Sequence, residues 1–336
     1  MASIQDILDP IKVKQLFNQR KAEIDPAITE IAVEKVKVIK SNFHHEYYSL
    51  VIAYDLIAKQ GGADIKLSIY CSAHSSESRR QTWDNLRLLW DKQIANKQFL
   101  TNRPLFYDPD CRGLFYTGLP GRNLDQYFKA GQLDQLNDYL QSIAGWLARL
   151  HKLTKGLRDW PDSRQQLIGQ VVPGRQRALN KIRQNCPQEY SRFVQLYDIL
   201  ERREAEHWPS RNNLTMIHGD LHPENIIVNQ KRAAIIDWAD ASLGDPARDL
   251  GAFVQQLAFM GQRHLPDIAY WQQAQKFFLE AYQTIVGEVM AADWSERLET
   301  YYNFAAFRTA VYFVTKSGPE PQRASGLLTE VEFNLI

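Results

Sequence analysis

Cysteine is scarce in this 336-residue sequence: only Cys71, Cys111 and Cys186 occur. They lie too far apart for a paired metal-ligand motif or a disulfide framework, and fit a reducing compartment. An excess of either charge is also missing, with 40 Lys plus Arg against 39 Asp plus Glu and no long block of one sign. Neither a nucleic-acid partner nor a membrane surface is implied by such a balance. No stretch reaches the ~18 apolar residues of a membrane span, and residues 1–19 alternate apolar and polar positions instead of forming a secretory signal. Internal repeats and low-complexity tracts are absent. These absences lead to the expectation of a soluble, cytoplasmic protein, with its oligomeric state left open.

What is present is enough apolar material for a large core, 44% of residues, in a chain longer than one average domain. Two lobes are expected, a β-rich one over 1–118 and a mainly helical one over 119–336. In the first, a short amphipathic helix over 13–22 precedes strands over 31–40, 46–58 and 64–72, which are rich in β-branched and aromatic residues. Gln60-Gly61-Gly62 is a strong turn signal between the last two strands. A helix over 77–94 and a strand over 113–118 complete the lobe. Beyond Leu124, the spacing of Leu133, Leu136, Leu140, Ile143, Leu147 and Leu150 predicts one long helix with a single apolar stripe. Further helices are expected over 188–205, 247–261, 268–287 and 295–315. The fold class is therefore α+β, a small antiparallel β lobe plus a larger helical one.

A strand-rich interruption, 214–237, carries the chemistry. Ile226-Ile227-Val228 and Ala233-Ala234-Ile235-Ile236 read as a hairpin around Asn229-Gln230-Lys231-Arg232, a four-residue loop. Pairing Val228 with Ala233 and Ile226 with Ile235 brings Asn225 within about one step of Asp237 across the ladder. An amide oxygen and a carboxylate suit Mg²⁺, which takes oxygen ligands and leaves positions for substrate phosphates. Asp220 lies five residues before Asn225, on the loop entering the hairpin, where a carboxylate can accept a proton from an attacking hydroxyl. His218 and His222 are four apart, but Gly219 and Pro223 prevent the continuous helix that a shared zinc face would need. Asp245 and Asp249 read as helix-start and loop-bracing residues.

The run His218-Gly219-Asp220-Leu221-His222-Pro223-Glu224-Asn225, followed by Ile235-Ile236-Asp237-Trp238 and Gly244-Asp245-Pro246-Ala247-Arg248-Asp249, resembles the aminoglycoside phosphotransferase and choline kinase superfamily. That resemblance implies a protein-kinase-like fold using ATP, or alternatively GTP, with Mg²⁺. It implies Asp220 as catalytic base, Asn225 and Asp237 as metal ligands, and His218 in a supporting role. It also implies that Phe115, Tyr116, Thr117 and Gly118 belong to a hinge holding adenine through the backbone. Leu147 to His151 would end the helix beneath the catalytic loop.

The phosphate contacts are less regular. A phosphate-covering loop is expected at 41–46, where no glycine occurs. Lys66 is the candidate phosphate lysine, although aligning the strand end on Tyr70 places Ser68 there instead. Glu77 and Asp84 are the nearby candidates for its acidic partner. The resulting expectation is a small-molecule kinase phosphorylating a hydroxyl of an aminoglycoside-, choline- or sugar-like acceptor; the alternative is a catalytically weak or inactive kinase-like regulator that binds a nucleotide or a partner. Asp240, Glu280, Asp293, Glu296, Glu299, Tyr301, Tyr302 and Phe307 are candidates for holding a cationic amine near Asp220.

Overall fold

A computed structural model describes residues 4–44, 47–75, 79–94, 99–157, 167–287 and 291–336. The chain forms two compact units, one of residues 1–120 with 236–239, the other of 121–235 with 240–336.

The first unit opens with α1 (Pro10–Gln19), capped by Asp9, whose side chain accepts from the Ile11 and Lys12 N–H groups, and with Pro10 in the first turn. The chain breaks at Arg20 before the short α2 (Lys21–Ile24), so the expected helix over 13–22 is two pieces. Val13 and Phe17 of α1 are fully buried. The Phe17 ring meets Tyr54 edge-on at 5.2 Å and Phe115 at 5.9 Å, geometries that add to the gain from burial.

Against α1 lies a sheet of β1 (Ile28–His44), β2 (Tyr47–Gln60) and β3 (Ala63–His74), followed in the chain by α3 (Arg80–Asp91), β4 (Phe99–Leu100), β5 (Pro104–Asp108) and β6 (Gly113–Thr117). The antiparallel order is β1-β2-β3-β6-β5. Gly61 and Gly62, at φ +58° and +86°, make the two-residue turn between β2 and β3, a conformation that L side chains resist. The edge strand β1 carries three register shifts and the lysines Lys35, Lys37 and Lys40, both of which discourage further strand pairing.

Residues 41–44 of the expected phosphate-covering loop are strand instead. Ser41, Asn42, Phe43 and His44 continue β1 and pair with Leu50, Ser49, Tyr48 and Tyr47. Aromatic, β-prone residues on both strands prolong the ladder beyond the point where a loop was expected. His45 and Glu46 lie outside the described residues, as does Glu77.

The second unit comprises β7 (Arg122–Asn123), α4 (Leu124–Lys129), α5 (Leu136–Thr154), α6 (Arg175–Asn185), α7 (Tyr190–His207), β8 (Thr215–Ile217), β9 (Ile226–Asn229), β10 (Arg232–Ile235), β11 (Ser242–Gly244), α8 (Pro246–Gly261), α9 (Ile268–Val286), α10 (Trp294–Thr315) and α11 (Pro321–Leu335). The α5 stripe is buried from Leu136 to Thr154. α8 and α10 approach so closely at Gly251 that an added Cβ would stand 2.7 Å from the Tyr302 nitrogen and 2.9 Å from the Leu298 oxygen. Only glycine permits that crossing.

Val228 pairs with Ala233 and Ile226 with Ile235, the expected register, but Arg232 also pairs with Asn229. The connection is therefore two residues, Gln230-Lys231, with Gln230 at φ +56°, and not four. The ladder ends at Ile226–Ile235, so Asp237 lies outside it. Among the described residues, no helix is long and apolar enough to cross a membrane.

Candidate active site

The loop between β8 and β9 is fixed by buried polar groups from three helices. Thr154, at the end of α5, accepts from the Met216 N–H at 2.9 Å. Asp249 of α8 accepts from the His218 and Gly219 N–H groups at 2.7 and 3.0 Å. The His151 ring of α5 stands 3.6 Å from the same carboxylate and bonds the Tyr282 hydroxyl of α9 at 2.8 Å. Burial opposes the Asp249 charge, but His151, His218 and the backbone donor outweigh it and hold this carboxyl below its ordinary value. Asp245 caps α8 by accepting from the Ala247 N–H, and Arg297 donates to it at 2.9 Å.

Gly219 sits at φ +81°, and a Cβ there would stand 2.6 Å from the Asp240 carbonyl oxygen. This tight turn delivers Asp220. Arg308 of α10 donates to Asp220 Oδ1 at 2.9 Å, and His222 Nε2 lies 3.7 Å from Oδ2. Burial works against the Asp220 charge; the His222, Arg308 and His218 side chains overcome it and hold the carboxyl well below the ordinary carboxylate range. His218, fully buried, accepts from the Asp220 N–H through Nδ1 at 3.3 Å. Asn225 is buried in the same loop, with Nδ2 at 3.0 Å from both the Asp220 carbonyl oxygen and His222 Nε2. Those contacts orient the amide and leave Oδ1 as its open acceptor.

The other expected residues belong to the first unit. Asp237 is exposed and has φ +65°, a conformation that non-glycine residues adopt at a cost of about 1–3 kcal/mol. The neighbouring Trp238 is buried, its carbonyl accepting from Asn85 Nδ2 at 3.0 Å. Phe115 is wholly buried, stacked on Phe106 at 4.4 Å, so its side chain is core. Tyr116 stacks on Tyr70 at 6.0 Å, and burial, reinforced by the Asp237 charge, raises its phenol. The Thr117 N–H and carbonyl are engaged by Arg103 and Asn102, and the Gly118 N–H by the Ser68 carbonyl. Lys66 is exposed on β3, opposite Ile57 on β2. Asp84 pairs with Arg80 at 3.6 Å.

Asp220 opens onto a cavity of about 600 Å³ within the second unit. From α10, Tyr301, Phe304, Ala305, Arg308, Thr309 and Tyr312 line it, one helical stripe at steps of three and four. α8 contributes a matching stripe that includes Arg248, Ala252 and Gln256, and Arg263 lines the cavity from the turn that follows α8. Of the eight residues expected to hold a cationic acceptor, only Tyr301 lines this cavity. Phe307 is core against Tyr197, Glu299 pairs with Arg203, and Asp293 lies beside Arg297. Glu299 and Phe307 fall off the α10 stripe by helical phase, and Asp293 precedes the helix. Arg308 is not among the expected site residues, although a lone cation within a stripe of aromatic and small residues is a legible signal.

Beneath the cavity, Glu204 of α7 accepts from the Ile168 N–H at 2.8 Å and from the Tyr301 hydroxyl at 3.1 Å. Burial pushes its carboxyl from 4.5 up to about 7, against those donors and Arg248 and with help from Asp245. A raised folded-state value favours the protonated form, so the associated stability is complete below the unfolded value and is lost as pH rises through the folded one. Between pH 4.5 and about 7 the loss approaches about 3 kcal/mol. Glu204→Gln, which stays neutral, should gain thermal stability relative to the native chain as pH rises across this window. Parallel Tm profiles for the two proteins would remove the buried-acid reading.

A family model described as "Phosphotransferase enzyme family" matches residues 67–285, beginning one residue after Lys66. Over 89 residues the chain is 33% identical to the uncharacterized protein YcbJ of Bacillus subtilis (strain 168), a match covering 26% of this chain and 28% of that relative. The whole fold is similar to choline kinase from Cryptosporidium parvum Iowa II, at TM-score 0.64 and 15% identity, covering 97% of this chain and 95% of that one. It is also similar to the ADP-bound aminoglycoside phosphotransferase APH(2'')-Ib, at TM-score 0.57 and 13% identity, over 98% and 100% of the two chains. Amicoumacin kinase hAmiN, solved with AMP-PNP, Ca²⁺ and Ami, is similar at TM-score 0.56 and 15% identity, over 96% and 95%. These structural likenesses establish the α+β architecture, an antiparallel sheet in the N-terminal part and a larger helical C-terminal part. With the family model matching well over half of its length, the chain belongs to the APH phosphotransferase family.

Proposed function

We propose that the chain is a Mg²⁺-dependent phosphotransferase that moves the γ-phosphoryl group of ATP to a hydroxyl of a small molecule. The observation that carries this reading is Asp220, held ionised on a tight turn at the wall of a cavity of about 600 Å³. Arg308 fixes one carboxylate oxygen, leaving the other to align an incoming hydroxyl. A carboxylate this acidic is a weak base, so its first contribution is alignment. Proton acceptance accompanies formation of the new P–O bond.

Asn225 Oδ1 and the Asp237 carboxylate supply the hard oxygen donors that Mg²⁺ prefers, and two such ligands suit a cation shared with phosphates. Neither accepts a hydrogen bond from another described residue. Bound there, the cation would neutralise charge on the triphosphate. Lys66 forms no ion pair with a described residue, so its ammonium is available to the nucleotide phosphates. Since Thr117 and the Gly118 N–H already serve the sheet, adenine is assigned to the next open backbone groups, the Gly118 carbonyl and the Leu119 N–H.

Thermal denaturation with ATP or GTP, each with and without Mg²⁺, tests the reading without knowledge of the acceptor. A Mg²⁺-dependent rise in Tm with either nucleotide is the expected result. No rise with either would contradict it.

A further inference from the structure

The walls of the Asp220 cavity carry Arg248, Arg263, Arg308, Lys316 and Arg323 against two carboxylates, Asp220 and Glu224. Some of this positive charge is answered nearby: Arg308 pairs with Asp220 and Asp240, while Lys316 and Arg323 share Glu320. Arg248 is fully enclosed, and burial lowers its guanidinium in spite of neighbouring Glu204 and Asp249. Arg263 is exposed and forms no ion pair among the described residues. The acids beside the aligned hydroxyl are engaged as well, Asp220 by its alignment role and by Arg308, and Asp240 by Arg308 at 3.8 Å. With Arg263 unpaired among the described residues and Lys316 and Arg323 sharing one carboxylate, a cationic acceptor would meet more charge of its own sign than Glu224 answers. The apolar part of the wall comes from Phe259, Phe304, Tyr312 and Phe313. Arg323 lies 4.0 Å over the Phe313 ring, and Lys316 lies 5.7 Å from the Tyr312 ring centre, so these cations are held at an aromatic surface.

We propose that the acceptor is a hydroxylated organic anion, a compound with an apolar body that carries a carboxylate or another acidic group besides the hydroxyl it presents to Asp220. Arg263, Lys316 and Arg323 receive the anionic group, and the aromatic wall receives the body. This inference rests on the phosphotransferase reading. In the reaction the acceptor oxygen bonds to the γ-phosphorus of ATP as the bond from that phosphorus to the bridging oxygen breaks. ADP leaves, the hydroxyl proton passes to the Asp220 carboxylate and then to solvent, and the product is a phosphate monoester that keeps its original anionic group.

The test uses the intact chain and two alcohols that differ only in the charged group, meta-hydroxymethylbenzoate and meta-hydroxymethylbenzylamine. Thermal shifts are measured with each alcohol alone, and with Mg²⁺-ATP alone as control. The benzoate should stabilise the protein and the benzylamine should not. Arg263→Glu should weaken benzoate binding roughly tenfold or more, the scale of one charge-assisted contact, while Arg263→Lys should retain it. Preference for the amine, or no shift with the benzoate, would overturn the inference and leave the nucleotide control intact. A loss of Mg²⁺-ATP binding in Arg263→Glu as large as the loss of benzoate binding would also overturn it, reassigning the charge to the nucleotide. Absence of the nucleotide shift in the native chain would instead defeat the phosphotransferase reading, and this inference with it.

Discussion

Asp220→Asn should lower turnover by roughly 10²- to 10⁴-fold, the usual consequence of losing a positioned general base, while Mg²⁺-ATP affinity stays close to native. The amide keeps the size of the carboxylate but cannot accept the hydroxyl proton, and it removes the charge that Arg308 answers at 2.9 Å. Some stability should be lost with that charge. A folded-state value below the ordinary 3.8 contributes stability that is present above the unfolded value and lost as pH falls through the folded one. The Tm difference between native and variant should therefore narrow in acid. The informative readout is kcat against nucleotide affinity. A loss of both in equal measure would assign Asp220 a structural role.

Asp237→Asn should have the second large effect. Cation and nucleotide that share a site are thermodynamically coupled, typically by about 1–3 kcal/mol, or roughly 5- to 150-fold in affinity. Removing the carboxylate should collapse that factor toward unity. Asparagine is the informative replacement because residue 237 sits at φ +65°, a left-handed conformation that asparagine tolerates better than alanine does. Titrating ATP at several Mg²⁺ concentrations reads the coupling directly. An unchanged Mg²⁺ dependence in a variant with native Tm would remove Asp237 from the metal site.

Much of this arrangement was legible in the residues, and the reasons are local. The hairpin register followed from two short apolar runs, because a one-residue slip would turn every side chain to the opposite face. The α5 stripe and the glycine turn between β2 and β3 are likewise encoded within a few residues. The two-residue hairpin loop was less accessible, since Asn229 and Arg232 are polar and their pairing reflects the backbone more than composition. α6 passed unnoticed because only Ala178, Leu179 and Ile182 form its buried face. α11 was available to be read, its Ala324, Leu327, Leu328 and Val331 falling at the helical spacing.

The cavity beside Asp220 is least legible. Its charge arises where α8, α10 and α11 converge, and such a sum depends on tertiary placement rather than on any motif. Counting carboxylates along the chain suggests a site for amines; the charged side chains that reach the cavity wall are mostly cationic. The loop after β8 is easier to recognise because His218, Asp220 and Asn225 sit within eight consecutive residues and bond to one another.

Phosphoryl transfer to a hydroxyl at Asp220 leaves two products that can be counted together. Its most direct test is to incubate native and Asp220→Asn proteins with Mg²⁺-ATP and hydroxylated organic anions, measuring ADP and phosphorylated acceptor together. Equal amounts of ADP and phosphate monoester are expected from the native protein, and little of either from a variant that still binds Mg²⁺-ATP. ADP and monoester formed equally fast by both proteins would contradict it.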